Sequence, residues 1–499
     1  MTRSLAPGGL EQNLVRLFGV LLCLAVVVPV LPRLGVLAGA VALLLAAGTA
    51  WLVWRWVPGS ISGARQRRPV VAVLWALGAL LALVQVGRLS AFMAEPDRIW
   101  GSVVPDPKIA GHACLSAYLV AADLSDRQTL NLYDERFYPA FGGDASKLLA
   151  PGDIRNLRTW MEDPYEYPPP FLLFPRLALL LSDDFLSIRA GWFVLQALGL
   201  VVVGAWLAQW IGGRDGQLAC LLLPVLLASI PTMFGLQFGQ FHVAALLLAV
   251  SAMICFEERR PAVGGALLAV ATVSKLAPVF LLVYLLARRR WREVAWTIGA
   301  CAVFSLIGVA ILGWTPFEAF MSYQLPRIQS GEAFSFYEKH EVMVSRNLGI
   351  PGLVTKLSFL GVPGMTHALG AALGWIFTLL LLWLAWTAGR RAEGRVGEAR
   401  VWLALLTLGA LRSPLAPPYV SLSTLWLLTL LAGEIRGRAS WVVGFVVAWL
   451  LIIGPPPLTG APEFILSSLG QLVGLAVCIW PLLRPRPAAD APAPALAVG

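Results

Sequence analysis

Lys275 is the only charged residue in an apolar run from Pro261 to Ala287. An ammonium held at membrane depth costs about 2.5–3.5 kcal/mol or more. Such a group turns toward a polar cavity or an anion rather than toward lipid. A phosphate at that depth is a suitable anion; a lysine that snorkels or pairs with a carboxylate is the plainer reading. A second resource lies upstream, where the segment 95–167 concentrates carboxylates (among them Glu95, Asp97, Asp106, Asp134, Asp163 and Glu166) with His112 and many Tyr, Trp and Phe residues. Carboxylates accept hydrogen bonds from hydroxyls and rings stack on the apolar face of a sugar. That composition suits a carbohydrate, against the alternative of an ordinary solvated loop with its own small core.

The loop ends in Tyr165-Glu166-Tyr167-Pro168-Pro169-Pro170. Prolines at a first helical turn fix how the chain runs into a helix, so Glu166 and Tyr167 are expected at the membrane face. Gly239-Gln240-Phe-His242 opens a later apolar helix, with Gln and His as donors to a polar ligand or as interhelical hydrogen-bond partners. Arg346-Asn347 and Arg412 follow distal apolar segments. Cations for a phosphate and carboxylates for a hydroxyl are what transfer of a sugar from a lipid phosphate requires. Asp106 is the first choice of general base: it follows the third apolar run closely enough for the loop to fold back onto the helix ends, where partial desolvation would strengthen it. Asp134 and Glu166 come next, and His112 is an alternative.

The elements that position these groups are membrane helices. Of the 499 residues, 58% are hydrophobic and 13% charged, with a mean hydropathy of +0.75; a soluble chain carries about 25% charge. Spans of roughly 20 apolar residues predict about 14 hydrophobic segments, several of them short enough to tilt, kink or re-enter. The net charge of +10 is no nucleic-acid signal, because Lys and Arg gather in short clusters between apolar runs, as at Arg65/Arg67/Arg68, Arg288 to Arg290, and Arg390 to Arg400. Such clusters mark cytoplasmic loops. They place both termini in the cytoplasm and the segments 95–167 and 313–346 outside, in a multi-pass protein of the inner (plasma) membrane. Two topologies fit 262–287: one crossing with Lys275 near mid-depth, or a re-entrant hairpin with Lys275 at its tip. The first apolar run reads as a retained helix. Of the six cysteines only Cys114 lies in a long polar loop, so no disulfide forms within that loop. The tail 485–499 reads as disordered and cytoplasmic.

Taken in order, Tyr165 to Pro169, Gly239 to His242, Lys275 to Pro278 with Arg289 to Arg292, Arg346 to Leu348, and Ser413 to Tyr419 resemble the motifs of glycosyltransferase family 87. That family comprises polyprenyl-phosphate-mannose-dependent mannosyltransferases of the GT-C fold. The resemblance implies an all-α polytopic GT-C helix bundle with a long extracytoplasmic first loop. It divides the chain into an additional hairpin (1–69), a catalytic core (70–431), C-terminal helices (432–484) and the tail. It also implies an inverting transfer of a sugar, mannose by the resemblance, from a polyprenyl phosphate to a lipid or envelope-glycan acceptor. Asp106 is then the base, and Asp134, Glu166, Tyr167, Gln240, His242, Lys275, Arg346, Asn347 and Arg412 bind substrate. The chain departs from the family pattern at His242, where Asn is usual, and at Pro417 and Pro418, where Trp and His are usual. No spacing of His, Cys and carboxylates suggests metal ligands, so neither metal nor cofactor is expected. The rival readings are a transporter or flippase, which long acidic aromatic loops and the lack of internal repeats disfavour, and a non-catalytic assembly partner.

Overall fold

In lipid every backbone N–H and C=O must find a partner within the protein, so long apolar runs become helices. The computed structural model describes residues 10–56, 69–138, 154–157, 160, 163–391, 394–435, 439–454, 458 and 460–483, and it is all-helical apart from one isolated bridge between Arg155 and Asp184. The arginines at 65, 67, 68, 436, 438, 484 and 486 and the tail 485–499 lie outside the described residues.

Among the described residues, seven helices are long and apolar enough to cross a membrane: Asn13–Val30, Val36–Trp56, Trp75–Ala94, Phe185–Ile211, Trp291–Leu312, His367–Arg391 and Ala461–Leu483. Gly213–Leu227 and Ile230–Gln237, bent by 60° at their junction, give an eighth. The other apolar segments are shorter, among them Phe241–Glu257, Pro261–Ser274 and Ala277–Ala287. Helices such as Phe241–Glu257 and Ser421–Leu431 are buried almost throughout, whereas Leu37, Leu44, Ile376 and Leu379 stand exposed on outer helices, as lipid-facing side chains do. The two N-terminal helices pack on each other and on Pro69–Ala94 and Phe185–Ile211, and Ser90 donates to the Val26 carbonyl at 2.7 Å.

The structure decides between the two topologies for 262–287. Arg290 pairs with Glu257 and donates from Nη2 to the Phe256 carbonyl at 2.9 Å. Gly265, early in the segment, abuts Trp296 and Thr297, early in the following helix. Both ends of the segment therefore lie at one end of the bundle, and it forms a re-entrant hairpin with Lys275 at its apex. Its first leg is Pro261–Ser274 and its second Ala277–Val279 with Phe280–Ala287. Extended backbone at Lys275 (φ −138°, ψ 116°) ends the first leg. Pro278 begins the second, where its missing N–H leaves no intrahelical bond unmade. At a rise of about 1.5 Å per residue, the first leg lifts Lys275 roughly 21 Å into the bundle.

The hairpin base sits at a basic end. There Arg288 pairs with Glu398 at 2.7 Å, Arg395 donates to the Trp210 carbonyl at 2.8 Å and Arg400 to the Leu430 carbonyl at 2.6 Å. At the opposite end Arg33 donates to the Ala94 carbonyl, and Ser187 Oγ donates to the Arg33 carbonyl at 2.9 Å. The acidic aromatic segment that begins at residue 95 caps this end. It contains the helices Pro107–Ala110 and Cys114–Asp126 and the 3₁₀ turns Ile99–Gly101 and Glu135–Phe137. Residues 139–153, 158, 159, 161 and 162 of the cap lie outside the described residues. Cys114, expected in a polar loop, begins a helix of the cap that is buried along almost its whole length, and it is buried with it.

Candidate active site

Three chain reversals meet below the cap. The first is the end of the cap, Tyr165 to Tyr167, which Pro168 turns into the 3₁₀ helix Pro169–Leu172. The second is the turn between Ile230–Gln237 and Phe241–Glu257. Gly239 there has φ +66°, and an added Cβ would stand 2.9 Å from Leu115 Cβ, so both backbone and space call for glycine. The third is the apex at Lys275.

Tyr167 joins all three. Its hydroxyl lies 2.7 Å from that of Tyr118, and each hydroxyl is 3.0 Å from Gln240 Oε1. Its backbone carbonyl accepts from the Tyr133 hydroxyl at 2.9 Å. Its ring stacks on Phe171 at 4.7 Å between centroids, and Lys275 Nζ stands 4.3 Å from the ring centroid. A desolvated cation over an aromatic face gains about 2 kcal/mol, so the ring holds the ammonium in place without consuming a hydrogen-bond donor.

Carboxylates gather beside this ammonium. The carboxylates whose charge favours the Lys275 ammonium are Glu166 and Asp163. Burial raises the Glu166 carboxyl well above the usual carboxylate range, and the Asp163 carboxylate adds to the effect; Lys275 and Arg327 oppose it. Arg327 lies in the helix Leu325–Ser330, pairs with Glu135 and lies 3.2 Å from Glu332. His242 is buried on the other side of the turn, its ring centroid 6.0 Å from that of Tyr419. His112 Nε2 is 3.4 Å from Asp163 Oδ2 and 3.5 Å from Cys114 Sγ. The arrangement offers a fixed cation for an anion, a strengthened carboxylate for a hydroxyl proton, and a trio of N, S and O atoms.

Of the residues expected to bind substrate, the structure brings together Glu166, Tyr167, Gln240, His242 and Lys275. The others are engaged elsewhere. Arg346 pairs with buried Glu463 at 2.6 Å. Asn347 clamps the backbone of the following loop, donating to the Pro414 carbonyl at 2.8 Å and accepting from Gly349 and Ala416 N–H at 2.9 Å. Arg412 donates to Thr378 Oγ1 at 2.7 Å and lies over the Trp375 ring. Asp134 caps the turn Glu135–Phe137, and hydrogen bonds from Arg136 hold its carboxyl below the usual range. Asp106 is exposed, and its carbonyl accepts from Ala110 N–H at 2.8 Å at the start of a short helix. Tyr118, Asp163 and Arg327 join the site without having been singled out by the sequence. Tyr118 and Arg327 reach it only through tertiary packing, and Asp163 carried no mark to set it apart from the other cap carboxylates.

Two curated proteins are similar to the chain. One, from Mycolicibacterium smegmatis, is described as a polyprenol-phosphate-mannose-dependent alpha-(1-2)-phosphatidylinositol mannoside mannosyltransferase; it is 25% identical over 342 residues, covering 64% of this chain and 73% of that protein. The other, from Mycobacterium tuberculosis, bears the same description and is 25% identical over 254 residues, covering 48% of this chain and 52% of that protein. The family model for glycosyltransferase family 87 matches residues 165–418, half of the chain, and this stretch runs from the end of the cap through the hairpin apex to the loop before Tyr419. The resemblance read from the motifs thus holds, and the chain belongs to glycosyltransferase family 87 as a multi-pass membrane glycosyltransferase.

Proposed function

We propose that the chain transfers mannose from polyprenyl-phosphate-mannose to a hydroxyl of a lipid-borne mannoside, with inversion, at the extracytoplasmic face of the plasma membrane. The observation that supports this most is Lys275 at the tip of a re-entrant hairpin, set on the ring of Tyr167, whose chain neighbour is Glu166. The similar mycobacterial proteins are named for a polyprenol-phosphate-mannose donor and a phosphatidylinositol mannoside acceptor. An apex that reaches the foot of the cap, on Tyr167, suits a donor whose phosphate lies at that membrane surface and whose tail lies in lipid.

In the reaction, the Glu166 carboxylate takes the proton of the acceptor hydroxyl. The freed oxygen forms a bond to the anomeric carbon as the bond from that carbon to the phosphate oxygen breaks. Polyprenyl phosphate leaves with its electron pair, and Lys275 offsets the growing charge. Glu166 takes the role of base that position alone assigned to Asp106, because it adjoins Tyr167, on whose ring Lys275 sits, and its carboxyl is raised by burial, while Asp106 is exposed. Tyr167, Tyr118 and Gln240 hold the ammonium and the turn in register.

The basic end of the bundle carries Arg288, Arg290, Arg395 and Arg400, and positive charge favours the cytoplasm. The cap is then extracytoplasmic. Exposed Leu130 reports on this: in intact cells Leu130→Cys reacts with a membrane-impermeant thiol reagent, whereas Glu258→Cys reacts only after lysis. The reverse pattern would invert the topology. For the reaction, membranes holding the chain should move radiolabel from polyprenyl-phosphate-mannose to a phosphoinositol mannoside lipid. Transfer from a nucleotide sugar in the absence of polyprenyl phosphate would rule out the proposed donor.

A further inference from the structure

We propose that His112, Cys114 and Asp163 form a binding site for a divalent metal ion of the zinc class. One ligand atom from each residue lies within 4.8 Å of the other two. Zinc binds thiolate at about 2.3 Å, imidazole at about 2.0–2.1 Å and carboxylate at about 2.0–2.2 Å, usually in a tetrahedron. Those bond lengths set the N-to-S edge at about 3.5 Å and the N-to-O edge at about 3.4 Å. The observed separations are 3.5 Å from His112 Nε2 to Cys114 Sγ and 3.4 Å from His112 Nε2 to Asp163 Oδ2. The plainer account is a buried thiol beside a hydrogen-bonded His–Asp pair. A charge-assisted N–H···O bond, however, closes to about 2.7–2.9 Å, and this pair stands well outside that range. Its spacing is that of two ligands sharing an ion.

The local backbone serves the same end. Ala113 is extended (φ −151°, ψ 110°), and in extended chain residues i and i+2 share a face, so His112 and Cys114 point the same way. The His112 ring packs edge-on against Phe238 with 4.6 Å between centroids, which fixes its orientation. Thiolate and carboxylate together balance the charge of a divalent ion. The set provides three protein ligands and leaves a fourth tetrahedral position for water or a hydroxyl. The ion would tie the start of the helix Cys114–Asp126 to the end of the cap, three residues before Glu166. His112 and Asp163 are 51 residues apart in the chain, which is why no spacing announced the site.

The test uses the full chain in nanodiscs, stripped with a chelator and titrated with Co²⁺. The proposal expects a thiolate-to-cobalt charge-transfer band that saturates at one metal per chain. Cys114→Ser should lose the band although the other five cysteines remain, and Asp163→Asn should weaken cobalt binding. Thermal melting confirms that each variant is folded, and if Cys114→Ser fails that check, His112→Gln takes its place with loss of the band again expected. A folded wild-type chain with no charge-transfer band, or a band that survives unchanged in the folded variant, overturns the site. Neither readout depends on sugar transfer, so the site and the proposed reaction stand or fall separately.

Discussion

Glu166→Gln is expected to lower turnover by about 10²–10⁴-fold, the range that general-base catalysis contributes. Gln keeps the shape of the side chain and removes the basicity, so donor binding should stay near that of the parent chain. The parent should also show a distinctive pH profile. Burial raises the Glu166 carboxyl well above the usual range, and a base acts only when deprotonated. The rate therefore rises with pH along a limb displaced above the ordinary carboxylate range, and that limb is absent in Glu166→Gln. Steady-state rates across pH with the lipid-linked donor measure both effects. If Glu166→Gln turns over normally while Asp106→Asn is inactive, the base is Asp106 and the cap must rearrange to deliver it.

Lys275→Met should lower turnover by about 10²–10³-fold, the usual loss when one group that stabilises developing negative charge is removed. Met fills a similar volume and can still lie on the Tyr167 ring, so insertion and folding should survive. Lys275→Arg should recover little of the loss. A planar guanidinium set over Tyr167 presents its donors in a different direction from an ammonium. Single-turnover rates with saturating donor separate this loss from weakened binding. A Lys275→Met chain with unchanged rates would make the ammonium a structural partner of Tyr167.

The physical reasons for what the sequence revealed differ from residue to residue. Apolar runs declare helices because the bilayer leaves the backbone no other solution. Lys275 was conspicuous because a lone ammonium in apolar chain needs a reason. Tyr167 and Gln240 were marked by the prolines and glycine around them, which fix where the chain reverses. The hairpin was not legible, since Glu257, Glu258, Arg259 and Arg260 carry no net charge and give no inside or outside signal. It took the pairing of Arg290 with Glu257, 33 residues apart, to show that both legs start at one end. Arg346 looked free for a phosphate because its partner Glu463 lies 117 residues on. Asp163 was one carboxylate among many in the cap until folding placed it beside His112.

On the proposed reaction the donor phosphate sits on Lys275, beside the ring of Tyr167. Cryo-electron microscopy of the chain in nanodiscs with polyprenyl-phosphate-mannose, using Glu166→Gln to hold the complex, observes this directly. Phosphate density is expected within hydrogen-bonding distance of Lys275 Nζ, with the sugar turned toward residue 166. Phosphate density on Arg346 or Arg412, with the space beside Lys275 empty, would contradict it.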